Sequence, residues 1–314
     1  MKKIVIFVLI TIGLVAGDFE KALDSYNNKD FKTALSLWTP LATRGERISQ
    51  YNMGILNYKG DGIPQNYKKA FMWFQKSAIQ GYSSAQFQLG LMYYSGQDVP
   101  VNKKIALKWY EKSASQGIKE AQYNAGSMYY NGDGVERDYV KAFKWLKKSA
   151  LQGYELAQYN IGVIFFRGEG LTVNKTEAHR WLLKSAIQGN IMAQNLIGYM
   201  YYTADGVEKN LTKAFNWYKK AAEQGHVSAQ FTLGNMYNNG LGTKEDLYDG
   251  FKWTKKSAEQ GYADAQVSTG AMYFHGLGTI DDYEKSIEWF TKAANQGHAA
   301  AQDILNKINE ALNK

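Results

Sequence analysis

From Ala121 to Tyr129 the apolar residues Ala121, Ala125, Met128 and Tyr129 fall at i, i+4, i+7 and i+8, the spacing of one helix face. A second stripe of the same period follows, made of Tyr139, Ala142, Phe143, Leu146 and Ala150, with Trp145 at its flank. Between the stripes lies Gly132-Asp133-Gly134, where glycine can take the left-handed conformation that closes a helix. The pattern predicts two short helices, A and B, joined by a tight turn. Asp138 stands where helix B needs an N-cap, a side chain that accepts hydrogen bonds from the first free amides. Lys147 and Lys148 suit the negative end of the helix dipole, and Gly153 suits the C-terminal cap.

The same pattern repeats. Ala-Gln occurs at 85, 121, 157, 193, 229, 265 and 301, always 36 residues apart, and Trp keeps that spacing from Trp73 to Trp289. The cap position holds Asn66, Asn102, Asp138, Asn174, Asn210, Asp246 and Asp282, an Asn or Asp every time. No residue is inserted or lost between Gly45 and Gln302. A period of this size with two helices per unit predicts a stack of helical hairpins, each burying its apolar face mainly against its neighbours. Gly126 sits inside helix A, and so do its equivalents from Gly54 to Gly270. An internal glycine costs about 1 kcal/mol relative to alanine. Its recurrence predicts a position where a neighbouring helix leaves no room for a side chain.

The stretch from Ala121 to Gly153 resembles the Sel1-like repeat family, a relative of the tetratricopeptide repeats. The pattern A-Q-x-x-L-G-x-x-Y-x-x-G-x-G-V followed by D-Y-x-K-A-x-x-W-x-x-K-A-A-x-Q-G is met almost letter for letter, and the likeness runs from about residue 45 to 302. It implies an all-α fold: a right-handed α-solenoid superhelix of antiparallel helix pairs with a 36-residue period and helix A on the concave side. Departures are local: Asp98 replaces the second turn glycine, Ala204 the first, and Gly250 and Ser286 the helix B alanine. The expected organisation is a signal peptide over 1–17, a capping hairpin over 18–44, seven repeats over 45–298 and a capping helix over 299–314. These form one elongated domain of about 17 helices. Asp30 would cap the second helix of the first hairpin, and Ile304, Leu305, Ile308 and Leu312 would face inward from the last helix.

Composition adds the compartment. Lys2 and Lys3 precede an apolar run from Ile4 to Val15, then Ala16 and Gly17, which reads as a secretory signal peptide cleaved near Gly17. The run is shorter than the roughly 20 residues of a membrane span, so none is expected after cleavage. With no cysteine, the chain has neither a lipoprotein anchor nor disulfides, and a periplasmic or secreted location suits it. Lys2 and Lys3 carry two of the formal +8 charges, leaving +6. The remaining lysines, spread over all repeats, read as solvated faces, with weak attraction to anionic envelope surfaces as the alternative. Nucleic acid is not an expected partner.

Catalytic, metal and cofactor chemistry find no foothold in the sequence. His226 and His298 share one repeat position two units apart, His179 replaces a core aromatic and His275 is placed in a turn, so all four read as structural or solvated. Asp61, Asp133, Glu169 and Asp205 occupy turns one at a time, whereas a hard cation wants several oxygen ligands together. They read as solvated turn acids. The G-x-G pairs lack the strand a dinucleotide fingerprint needs. The resemblance brings in a β-lactamase-like activity linked to cysteine-rich relatives. This chain lacks S-x-x-K, S-D-N, K-T-G, G-x-S-x-G and H-E-x-x-H, and it lacks cysteine.

What varies without breaking the frame is the pair after Ala-Gln: Tyr51-Asn52, Phe87-Gln88, Tyr123-Asn124, Tyr159-Asn160, Asn195-Leu196, Phe231-Thr232 and Val267-Ser268. An amide both donates and accepts, so it can hold the backbone of an extended peptide. The expected function is a non-enzymatic scaffold whose groove, lined by Tyr51, Asn52, Phe87, Gln88, Tyr123, Asn124, Tyr159, Asn160 and Phe231, binds a protein or peptide partner. Cell-wall glycan or peptidoglycan is the alternative ligand, and a β-lactamase-like hydrolase the third reading.

Overall fold

The structure, a computed structural model, describes residues 17–312. The signal peptide expected over 1–17 therefore lies outside the described residues except for Gly17, as does the side chain of Leu312. Among the described residues there are seventeen helices and no strand. Helix α1 spans 17–27 and pairs with α2 (Phe31–Thr43), whose N-cap Asp30 accepts from the Thr33 amide. The A helices are α3 (Arg47–Lys59), α5 (Ser83–Ser95), α7 (Lys119–Asn131), α9 (Glu155–Arg167), α11 (Ile191–Thr203), α13 (Val227–Asn238) and α15 (Ala263–His275). The B helices are α4 (Tyr67–Ile79), α6 (Lys103–Ser115), α8 (Tyr139–Leu151), α10 (Lys175–Ile187), α12 (Leu211–Glu223), α14 (Leu247–Glu259) and α16 (Tyr283–Ala294), and α17 (Ala299–Leu312) ends the chain. His275 is the last residue of α15 rather than a turn residue, because the chain enters the left-handed region only at Gly276, whose φ is 66°.

The described residues divide into two compact units, one ending at Ala157 and the other beginning at Gln158. The ruler carries no mark at that boundary, which falls inside α9. Contacts in a repeat stack are made between neighbours, so no single core spans the whole chain. Phe74, Tyr110 and Leu146 are buried in the first unit, and Leu182, Ile197 and Leu233 in the second.

Each B helix starts as its sequence predicts. The side chain of Asp138 accepts from the Lys141 amide, and Asn66, Asn102, Asn174, Asn210, Asp246 and Asp282 do the same three residues upstream of their partners. Within a repeat the two helices meet at the A-helix glycine. A Cβ on Gly126 would lie 2.7 Å from Leu146 Cγ and 3.0 Å from the Leu146 backbone nitrogen. The other repeats put Phe74, Tyr110, Leu182, Tyr218, Thr254 and Phe290 across the equivalent glycines.

The Gln of each Ala-Gln pair, a marker without a role in the sequence, ties one repeat to the next. Gln122 is buried; its amide donates to the Ala114 carbonyl at 3.0 Å and its oxygen accepts from Gln152 at 2.8 Å. The same rung joins Gln50 to Gln80, Gln86 to Gln116, Gln158 to Gln188, Gln194 to Gln224, Gln230 to Gln260 and Gln266 to Gln296. Beside it, Ser113 and Ser149 donate to Ser83 and Lys119 carbonyls thirty residues back.

The lysines of the last B-helix turn do more than face the helix dipole. Lys76, Lys112, Lys148, Lys184, Lys220, Lys256 and Lys292 each lie over the Trp three residues earlier, 4.1 to 4.7 Å from the ring. This cation–π contact holds the ammonium over the ring, with the aliphatic stem free to cover its edge.

Where the turn glycine is missing, the backbone does not change. Ala204 closes α11 at φ 64°, and Asp98 sits at φ 57°. A side chain in the left-handed region costs roughly 1–2 kcal/mol. Ala204→Gly is therefore expected to raise the unfolding free energy by about 1 kcal/mol after the extra chain entropy of glycine is charged against it. Urea denaturation of the full chain measures this.

Candidate binding cleft between the A helices

The aromatic member of these pairs packs within its own repeat, in three of them on the ring that precedes the next A helix. Tyr51 lies 5.1 Å from Tyr82 and 5.6 Å from Phe74, Tyr123 lies 5.2 Å from Tyr154, and Phe231 lies 5.4 Å from Tyr262 between ring centroids. Phe87, which has Ile118 at that place, rests on Tyr110 at 5.9 Å instead. Tyr159 packs against the core cluster around Leu182. The amide members engage tyrosine hydroxyls of the preceding repeat: Gln88 bonds to Tyr51 and Asn124 to Tyr110. Burial raises the pKa of both hydroxyls, and the amide bond offsets part of that rise. All nine candidate residues are half-buried.

Two of them, Tyr123 and Asn124, reach a common cleft of ≈ 370 Å³ between α5 and α7 in the first unit. Leu91, Tyr94, Tyr110 and Met128 supply its apolar walls, and Ser127, Asn131 and Asp133 its polar ones. The Ser127 hydroxyl is buried there with no hydrogen-bond partner. Such a group costs about 1–3 kcal/mol and in native proteins usually marks a place for water or ligand. Ser127 lies one helical turn beyond the Tyr-Asn pair, outside the variable positions that follow Ala-Gln. The equivalents of Ser127 in the first unit are Ile55 and Leu91, so a serine in that series was the available signal.

Asp133 closes the mouth of the cleft and corrects the view of the turn acids as solvated. Its carboxylate accepts from Lys103 Nζ and, at 2.7 Å, from the Tyr94 hydroxyl, both in the preceding repeat. The Lys103 ammonium holds this carboxyl below the usual range, with Tyr94 adding to the effect. Asp61 accepts from Tyr26 at 2.9 Å and Asp205 pairs with Lys175 at 2.9 Å. The turn folds back over the preceding helix pair, so the acid meets a lysine of its second helix or a tyrosine of its first. Among the described residues no three His, Cys, Asp or Glu side chains converge as a metal would require.

The same repeat position forms a cleft in the second unit with opposite chemistry. There Ala271, Phe274, Phe290, Ile304, Lys307 and Ile308, each 180 residues after a lining residue of the first cleft, surround ≈ 490 Å³ of mainly apolar space. Tyr94, Tyr110 and Asn124 are thus replaced by Phe274, Phe290 and Ile304. The repeat frame supplies the cleft, and the residues chosen for it supply its polarity.

His179 occupies a core aromatic position, 5.3 Å from the Tyr201 ring, with its Nε2 buried and unpartnered. Burial, and then the Lys213 charge, lower its pKa from 6.5. The unfolded chain then binds a proton that the folded chain does not. Stability is full above about pH 6.5 and falls as pH drops through the window below it. His226 has the same direction of shift from burial. His179→Phe, which restores the residue found at 143 and 215, is expected to add about 1 kcal/mol at pH 7 and to flatten part of the acid loss. Thermal melts at pH 7 and 5 check both.

Comparison with known proteins follows the same ruler. The Sel1 repeat pattern matches residues 47–82, 83–118, 119–154, 156–190, 191–226, 227–262 and 263–298. Among solved structures, one similar chain is a protective antigen present in uropathogenic Escherichia coli strains and displaying an SLR fold, at 34% identity and a TM-score of 0.90. The match covers 95% of this chain and 65% of that one, so this chain spans just under two thirds of the antigen's length. A Sel1 repeat protein from Oxalobacter formigenes matches at 30% identity and a TM-score of 0.71, over 94% of this chain and 87% of that one. No protein of curated function matches the sequence.

Proposed function

We propose, from the premise that this chain belongs to the Sel1 repeat family, that it is an exported, non-enzymatic scaffold that holds an extended segment of a protein partner on its A-helix face. Sel1 repeat proteins are generally protein-interaction scaffolds. The observation that carries the finer reading is the cleft between α5 and α7, where a buried Ser127 hydroxyl lacks a partner beside Asn124 and Asn131. Backbone amides and carbonyls of an extended peptide are the groups such side chains pair with. Export rests on the basic, then apolar, then small-residue order of 1–17. The E. coli relative is a protective antigen, which also favours a position outside the cytoplasm.

The test is made in cells. A photoreactive residue at Asn124 or Asn131 is expected to capture one protein that the same probe at Gln75, on the B-helix face, does not. Capture only from Gln75 would overturn the assignment of the A face. Fractionation with N-terminal sequencing is expected to find the mature chain outside the cytoplasm, starting near Asp18. An intact Met1 in the cytoplasm would end the export reading.

A further inference from the structure

We infer that the B-helix face of the first unit is a docking surface for an anionic lipid bilayer. Each B helix turns one stripe, at positions i, i+4, i+7, i+8 and i+11, away from the core. On α6 the exposed stripe carries Lys104, Lys108 and Lys112, and on α8 it carries Lys144, Lys147 and Lys148. On α4 it carries Lys68 and Lys76. The acid among these stripes, Glu111, is half-buried and accepts from the Tyr129 hydroxyl at 2.8 Å. The positive charge of the chain is therefore not spread evenly, as the sequence reading has it. It gathers where three successive B helices, α4, α6 and α8, carry lysines at equivalent exposed positions.

Large apolar side chains stand exposed in the same stripes: Met72 at 50%, Ile79 at 71%, Val140 at 71% and Leu151 at 66%. Trp73 and Trp109 line two recesses of ≈ 420 and ≈ 480 Å³, and each opens beside a pair of lysines, Lys69 with Lys76 and Lys108 with Lys112. The lining residues 69, 72, 73 and 76 become 105, 108, 109 and 112 one repeat later, so the recess belongs to the repeat frame. A soluble polyanion would satisfy the lysines and leave Ile79, Val140 and Leu151 in water. A bilayer interface takes both, with ammonium groups at the phosphates and apolar tips at the acyl boundary. Among the described residues no helix is long and apolar enough to cross a membrane, so the contact proposed is peripheral.

Each lysine near an anionic bilayer multiplies the partition by roughly five, and the gain falls within a Debye length of the surface. Vesicle co-sedimentation of the full chain reads this. Binding to phosphatidylcholine vesicles containing about 30% phosphatidylglycerol is expected to be at least roughly tenfold tighter than to phosphatidylcholine alone, and weaker in higher salt. The triple variant Lys104→Glu/Lys108→Glu/Lys144→Glu is expected to lose at least tenfold. The control Arg137→Glu/Lys209→Glu/Lys244→Glu, with the same net charge but changed in turns, is expected to keep most of the binding. Circular dichroism melts show whether both triples remain folded. Equal loss in the two triples would reduce the effect to net charge and overturn the surface. Ile79→Ser/Leu151→Ser is expected to weaken binding a few-fold at constant charge. Unchanged vesicle binding in that variant would mean a polyanion site and would overturn the bilayer assignment.

Discussion

Gly126→Ala is expected to lower the unfolding free energy by about 3 kcal/mol, the upper range for forcing atoms into a packed core. On a solvent-facing helix the same change would stabilise by about 1 kcal/mol, so the sign alone is decisive. The new methyl would meet Leu146 at its side chain and, at 3.0 Å, at its backbone nitrogen. Leu146 can change rotamer, but its backbone belongs to α8, whose Ala142 and Ala150 are fully buried against the same core. Relief therefore requires the two helices to part. Chemical denaturation of the full chain followed by circular dichroism supplies the measurement, and a gain in stability would refute the close approach.

The second large effect lies in the glutamine ladder. Gln122→Leu keeps the volume of a side chain that is only 4% exposed while removing its donor and its acceptor. The loss expected is about 2 kcal/mol, the sum of a broken hydrogen bond and the group left unpaired beside it. Gln152 loses its 2.8 Å partner but retains the Gly117 carbonyl at 2.9 Å. Gln152→Ala alone should therefore cost less than Gln122→Leu. A double-mutant cycle on the two positions is expected to give a coupling of about 1 kcal/mol. Additive effects would mean that the rung contributes no coupling between the two helices of the repeat.

These two positions show what a sequence can and cannot reveal about a stack. Gly126 was legible because a helix-breaking residue kept at a fixed period needs a reason, and close approach is the simplest one. The Asn and Asp caps were legible because capping is local and each side chain bonds its own helix. The ladder was not, since Gln122 reaches Gln152 and Gln152 reaches back to Gly117, and a long polar side chain carries no periodic signal that it is buried. In the sequence the lysine row reads as solvated for a related reason: the Trp under each ammonium lies one helical turn away, and the charge of three B helices adds only once they are side by side.

The candidate site was half visible. Tyr123 and Asn124 stand out as a pair in the sequence and they do line one cleft, yet the ring of Tyr123 rests on Tyr154 and the amide of Asn124 meets Tyr110. Ser127 and Asn131, one and two turns further along α7, complete the polar wall. Their importance comes from Leu91 and Tyr94 on the neighbouring A helix, residues about one repeat away in sequence. No motif joins those positions. The ruler does, once the fold shows which faces of successive A helices meet.

The claim that this cleft holds the partner is tested most directly by filling it. Ser127→Leu removes the buried unpaired hydroxyl and installs the residue that the frame already carries at Leu91, so the unfolding free energy is expected to be no lower than the parent's. The affinity of the full chain for the protein captured from Asn124, measured by calorimetry, should then weaken at least roughly tenfold, a loss of about 1.4 kcal/mol. An unchanged Kd in a variant that remains as stable as the parent would contradict it.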